Sequence, residues 1–549
     1  MLNRNLPPVP ISQFSMVPRS DVPRSVFKFR SGYKTTFNAG SLIPWYVEEV
    51  LPGDHFRGEA TVFVRMSTPL YPIMDNLHLE TFFFFVPNRI LWDNWVKFMG
   101  EQKAPGDSIS YTIPQVTSAS ATGFASYGVG DYFGLPVIGG AVTVALSVNA
   151  LPWRGYNKIY NEWFRDENVG AVAVEFTSDA TQSESQYNIL TRMKRPDYFT
   201  SVLPWPLKGG VNVSMPLAGS AIVKTSAGAG FTGAQQKMQM LDSATGNALA
   251  GNFAFISAGF SAMHRSSTLA GGTDAGGTYP SNLYADLSTA TGATINAMRL
   301  AVASQQFLEK DARGGTRYAE LLRMHFGVTP QDSRLQRPEY IGGGSMPIDT
   351  QAIPQTSASA VTGSTTVMGS LAGASVGSGR HRFSYAASEH GFIIGLVNVR
   401  GDLSYTQGVH RMWTRSTRFD FYFPTFAFLG EQVVRQDEIY ATGVVATDTA
   451  AFGYQERWAE YRYRPSRITG KFRSYPTAGT LDTWHLAEAF ATPPAFNSTF
   501  LSDKSYTTVK RVIAAGAAGD NQQFLLDSVW DISSTRPLPV RSVPGLLRF

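Results

Sequence analysis

Residues 77–100, LHLETFFFFVPNRILWDNWVKFMG, decide the fold. Leu77 and Leu79 alternate with His78 and Glu80, the period-two pattern of a strand with one wet face. From Phe82 to Val86 both faces are apolar, so this end of the strand must be covered on two sides. Pro87 ends the ladder, and Asn88 suits the N-cap of a helix. Leu91, Trp95, Phe98 and Met99 fall on one helical stripe, which Gly100 terminates. The stretch reads as the core element of a large packed body.

Working outward, residues 34–54 read as strand-turn-strand and residues 59–66 as a further strand. The adjacent pair Glu48 and Glu49 would point to opposite faces of an extended segment, so it is no catalytic carboxylate pair. Residues 101–150 are short strand-like runs. Tyr156, Ile159, Tyr160, Trp163 and Phe164 share a helical stripe that predicts packing rather than a cofactor site. Helical periodicity returns over 296–310 and again around Tyr318, Leu321, Leu322 and His325, with a turn at the intervening glycine pair. Residues 391–399 and 418–423 read as strands. Residues 343–380, whose charges are Asp349 and Arg380 alone, read as a low-complexity loop. Many short strands and few helices predict an all-β sandwich with insertions.

One insertion stands apart. Residues 206–295 hold seven charged residues and no glutamate, and Gly, Ala, Ser and Thr dominate them. The stretch predicts a small surface module with its own core, to which Phe253, Phe255 and Phe260 contribute. The domain reading is therefore a basic arm over 1–34, a core over 35–205 and 296–549, and an inserted module over 206–295. Within the module, residues 228–233 match GxGxxG, but no strand-helix-strand unit surrounds the match, so it carries no nucleotide site.

Charge and composition narrow the function. Charged residues make up only 16% of the 549, so much of the surface is expected to lie against other chains. There is no cysteine, hence no disulfide and no thiolate chemistry. Prolines interrupt any signal core at the N-terminus and no apolar run reaches membrane-spanning length, which predicts synthesis in the cytoplasm without membrane insertion. The formal charge of +5 sits entirely in residues 1–34, where Arg4, Arg19, Arg24, Lys28, Arg30 and Lys34 face Asp21 alone. Such an arm is either a solvated tail or a phosphate-binding strap.

The eight histidines are scattered, and no HExxH, GxSxG, Walker or calcium-loop pattern is present, so no catalytic residue and no metal site is assigned. Asp437 and Glu438 read as a solvated edge. The sequence YQERWAEYRYRPSRITGKFRS, residues 454–474, interleaves six basic residues with aromatics. If residues 461–464 are extended, Tyr461 and Tyr463 line one face and Arg462 and Arg464 the other. That arrangement suits stacking and phosphate contacts to a single nucleic-acid strand, while arginines paired at a subunit contact would give the same pattern.

Several strings resemble the major capsid protein of microviruses, in particular the gokushovirus group: KTTFNAGSLIPWYVEEVLPGD (34–54), MDNLHLETFFFFVPNRILWDNWVKFMGE (74–101), NEWFRDEN (161–168), EKDARGGTRYAELLRMHFGVTPQDSRLQRPEYIGG (309–343), EHGFIIG (389–395), FGYQERWAEYRYRPS (452–466) and PGLLRF (544–549). The resemblance implies an eight-stranded antiparallel jelly roll, copies of which close a T=1 icosahedral shell around circular single-stranded DNA. It implies that an insertion, here 206–295, rises at the threefold axes, where it would meet a host receptor. The partners expected are the chain itself, the DNA genome, a host surface receptor, and a small basic packaging protein or polyamines. No cofactor is expected. A phage attachment spike, or a β-sandwich carbohydrate-active enzyme, would share the β-rich, aromatic composition.

Overall fold

The structure is a computed structural model. It describes residues 23–119, 123–138, 145–210, 213, 295–356, 369–474, 480–514 and 522–541, with the backbone of six short strands between 222 and 286. Two compact units emerge, one formed by Met1–Lys208 with Glu309–Phe549 and the other by Gly209–Leu308.

The first unit is built on eight long strands: β1 (Ser25–Phe37), β2 (Ile43–Val50), β3 (His55–Met66), β4 (Leu77–Pro87), β5 (Glu339–Pro354), β6 (Leu371–Ala386), β7 (Gly391–Gly401) and β8 (Phe524–Arg536). They form one antiparallel sheet in the order β1-β8-β3-β6-β5-β4-β7-β2. First pairs with last, second with seventh, third with sixth and fourth with fifth. A long hairpin wound back on itself produces this pattern, which is the jelly roll.

All eight strands send apolar side chains into one enclosed core, including Phe37, Trp45, Val62, Phe83, Met346, Phe383, Val397 and Trp530. The rings of Trp45 on β2 and Trp530 on β8 meet at 4.5 Å, so strands from opposite ends of the sheet order touch across this interior.

β4 shows why both of its faces had to be apolar. Leu77, Leu79, Phe83 and Phe85 enter the enclosed core. Phe84 and Val86 point the other way, into a second core beneath helix α1 (Leu151–Ile159) and the π-turn that follows it. Phe82 stacks edge-on against Phe164 there, with centroids 5.1 Å apart. Helix α1 presses close because Gly155 has no side chain: a Cβ there would lie 2.7 Å from Ile394 Cδ1 on β7. The outer flank of β4-β7-β2 is thus roofed, and β7 is buried along its whole length.

Helices α2 (Ile295–Gly314), α3 (Tyr318–Phe326) and α4 (Ser505–Val512) complete the regular elements named here. In the second unit, three antiparallel ladders are nested: residues 222–225 with 283–286, 240–242 with 278–280, and 253–255 with 263–265. Its boundary falls at Leu308 rather than 295. The GxGxxG match lies outside the described residues.

Three expectations are corrected. The helix over 88–99 is broken into a 3-10 turn at Asn88–Ile90 and a single turn at Trp95–Phe98, because Leu91 and Trp92 are pulled into the second core and the Asp93 amide donates to Thr177. Among the described residues, those of 343–380 are not a loop. Most of them lie in β5 and β6, whose glycines are small for packing reasons: a Cβ on Gly344 would lie 2.6 Å from the His381 ring, and one on Gly377 2.9 Å from the Pro347 carbonyl. Residues 418–423 are not a strand. The Asp420 carboxylate accepts from the Ser416 and Thr417 amides and curls the chain into a 3-10 turn.

Candidate nucleic-acid interface

Among the described residues, the flank of the barrel opposite α1 is exposed. On β1, Tyr33 and Phe37 turn toward the core, so Lys28, Arg30 and Lys34, at even positions, lie on the outer face. Residues 25–34 are therefore sheet, not arm. Register brings β8, β3 and β6 alongside, and one row of the outer face reads Arg30, Asp531, Glu59, Arg382. Arg30 pairs with Asp531 at 3.7 Å, and Lys34 pairs with Asp527. Glu59 takes Arg382 at 2.6 Å and Arg380 at 3.5 Å. Arg57 and Arg65 of β3 stand on the same face, and among the described residues neither has an ion-pair partner. Sequence reasoning missed the arginines of β3 and β6. The alternation in HFRGEATVFVRM was visible, but which strands would lie beside it was not.

The other predicted residues scatter. Arg4 and Arg19 lie outside the described residues, as does Phe260. Arg24 is exposed beside Gly53. Phe253 and Phe255 sit on the innermost ladder of the second unit, opposite Arg265 and Met263 in register. Residues 459–461 form a 3-10 turn, so the extended array expected of 461–464 is absent. Tyr463 stacks at 5.2 Å on Tyr198 and packs against a third core, which removes it from any base-stacking role. Tyr461 is 52% exposed, with the Arg415 guanidinium 4.4 Å above its ring. Arg462 pairs with Glu456, and Arg464 is exposed.

Buried ionic clamps hold the long loops to the barrel. Glu80 was expected on a wet face, but it is buried: Arg400 grips it at 2.8 and 3.1 Å, and Arg192 and Arg195 reach it from the loop above. Lys194, next in that loop, is fully buried against Glu488 at 2.7 Å, with its ammonium 4.3 Å over the Phe500 ring. Burial pushes the Glu488 carboxyl up, and Lys194 opposes that shift. Asp437 and Glu438 are no solvated edge either. Both are buried, and Glu438 accepts from Tyr198 Oη at 2.8 Å and from Arg411 at 3.1 Å. These groups hold structure together. They carry no hydrolytic geometry, because each carboxylate is already bound by a cation or a hydroxyl.

The sheet order and the clamps describe a rigid jelly roll carrying long tethered loops, and the comparisons place it. Residues 15–546 match the family model described as capsid protein (F protein). The chain belongs to that capsid protein family. It is 41% identical to capsid protein VP1 of Bdellovibrio phage phiMH2K over 97% of each chain. It is 38% identical to capsid protein VP1 of Chlamydia phage 1 over 99% of each, and 35% identical to that of Spiroplasma virus 4 over 98% of each. The microvirus resemblance read from the sequence is thereby met across the whole chain. Members of this capsid family are structural components of virus particles, and a shell is made of many copies, so self-association belongs to the function. No helix among the described residues is long and apolar enough to cross a membrane.

Proposed function

We propose that about 60 copies of this chain close a T=1 icosahedral shell around circular single-stranded DNA. The observation that carries this reading is the match to phage capsid proteins over 97–99% of the chain, joined to an eight-stranded jelly roll. Synthesis and assembly take place in the bacterial cytoplasm. Arg4, Arg19 and Arg24 of the N-terminal arm, with Lys28, Arg30 and Lys34 of β1, are assigned to the inner, DNA-facing side. At +5 per chain, ~60 copies supply about +300, too little for a genome of even a thousand phosphates. A small basic packaging protein or polyamines therefore complete the charge balance.

The module over 206–295 is assigned to the outside of the shell, rising near the threefold axes, with Phe253, Phe255 and Phe260 as the residues that meet a host receptor. Its nested ladders bring residues 222 and 286 into register, which supports an insertion with neighbouring ends. Size-exclusion chromatography with negative-stain imaging of the purified chain tests the shell. A closed particle of about 60 chains is expected. A stable monomer or dimer overturns the reading, and a trimeric rod replaces it with an attachment spike. For the module, replacing residues 209–292 by a short Gly-Ser linker is expected to leave particles that assemble but fail to adsorb to host cells.

A further inference from the structure

The exposed flank of the barrel has a charge that the rest of the molecule does not share. Outside residues 1–34 the chain has equal numbers of acidic and basic side chains. On the outer face of β1-β8-β3-β6 the seven cations named above, three of them from residues 28–34, stand against Asp527, Asp531 and Glu59, so this face holds +4 of the chain's formal +5. The patch measures about 14 Å across the four strands and about 20 Å along them. Its cations reach into solvent: the side chains of Arg30, Lys34, Arg380 and Arg382 are 77%, 75%, 67% and 71% exposed. Ion pairs so exposed are worth only about 0–1 kcal/mol, so a phosphate can compete for these groups.

At one end of the patch lies a groove of about 590 Å³, lined by Lys34, Phe63, Arg65, Tyr127 and Leu525 together with the carboxylates of Asp131 and Asp527, the second of which is paired with Lys34. Phe63, Tyr127 and Leu525 are each more than 40% exposed, and the Arg65 guanidinium sits 5.9 Å from the Phe63 ring centroid. Flat apolar walls flanked by cations fit an unpaired base with its phosphates. The duplex alternative fits less well, because a base within a helix keeps its faces stacked and could not enter.

We infer that the outer face of β1-β8-β3-β6 binds single-stranded nucleic acid, its exposed lysines and arginines taking phosphates and the Phe63–Tyr127 groove taking a base. The inference rests on the reading that the shell encloses single-stranded DNA, and it moves the contact surface from a terminal arm to the barrel itself. Particles grown with 5-bromodeoxyuridine and irradiated should yield DNA crosslinks on peptides containing Phe63 or Tyr127. Crosslinks confined to residues 1–22 overturn this inference and leave the enclosed-DNA reading standing. Particles devoid of DNA overturn both.

A second measurement does not depend on assembly. The full-length chain with Lys28→Gln, Arg57→Gln and Arg65→Gln is titrated with oligothymidylate at several salt concentrations. Loss of three phosphate contacts should reduce the slope of log affinity against log salt by about 2. An unchanged slope in a variant whose circular dichroism matches the parent refutes the assignment.

Discussion

His381 Nδ1 lies 2.6 Å from Thr81 Oγ1 inside the barrel, although their strands, β6 and β4, are separated by β5. The two side chains meet over the bare backbone of Gly344, whose register partner is Thr81. Burial holds the imidazole below its ordinary pKa of 6.5. The unfolded chain therefore takes up this proton before the folded one does as pH falls, and the associated stability, full above about 6.5, drains away as pH drops toward the folded value. Urea midpoints should fall between pH 7 and pH 5, and His381→Gln should flatten part of that fall. An identical pH slope in the variant would exclude His381 as its source.

Gly344→Ala tests the same crossing sterically. Its Cβ would lie 2.6 Å from His381 Cδ2, and overpacking of this kind costs about 1–3 kcal/mol. In a His381→Ala background the space is open and the penalty should shrink. Costs that simply add in the double variant would show that the two positions do not compete for room.

Glu80 is expected to be the most sensitive carboxylate. Removing it strands the buried Arg400 guanidinium and the half-buried Arg192, and breaking a buried ion pair costs about 3–5 kcal/mol. Arg195→Ala should cost under about 1 kcal/mol, since that side chain is 52% exposed. Equal losses in chemical denaturation for Glu80→Gln and Arg195→Ala would contradict the clamp.

Lys194→Met leaves Glu488 buried without its cation. Its carboxyl already lies above the usual range through burial, and the substitution raises it further. A folded acid with a raised pKa is protonated where the unfolded one is not, so stability falls as pH climbs from about 4.3 through the folded value. The variant's deficit in thermal midpoint should be larger at pH 8 than at pH 5. A deficit independent of pH would mean that Lys194 acts through packing on Phe500 alone.

What the sequence disclosed depended on how local the governing interaction was. β4 was legible because Phe82 to Val86 declare two covered faces without reference to any partner. β5 and β6 were not, because the glycines that let Thr81 and His381 meet look like loop composition until the neighbouring strand is in place. The Arg418–Phe423 alternation misled because a short-range cap from Asp420 outcompetes strand pairing. Lys28, Arg30 and Lys34 were visible as charges, but their neighbours Asp527 and Asp531 lie at the far end of the chain. Tyr463 read as a stacking ring because nothing nearby announces Tyr198. The capsid role was legible through long specific strings such as residues 309–343, which no physical pattern would have decoded alone.

The pairing of Ser25 with Arg536 sets a clock on biosynthesis. β8 lies between β1 and β3, so until it leaves the ribosome β3 keeps a raw edge and the barrel cannot close. At 5–20 residues per second, reaching residue 536 takes roughly 25–110 s. Throughout that interval β1 is a loose ribbon, and the inner ends of Trp45 and Phe83 lack the Trp530 wall that later covers them. A subunit of this topology closes its barrel in one late step, and until then the raw edge of β3 and the uncovered rings of Trp45 and Phe83 invite pairing with other half-made chains.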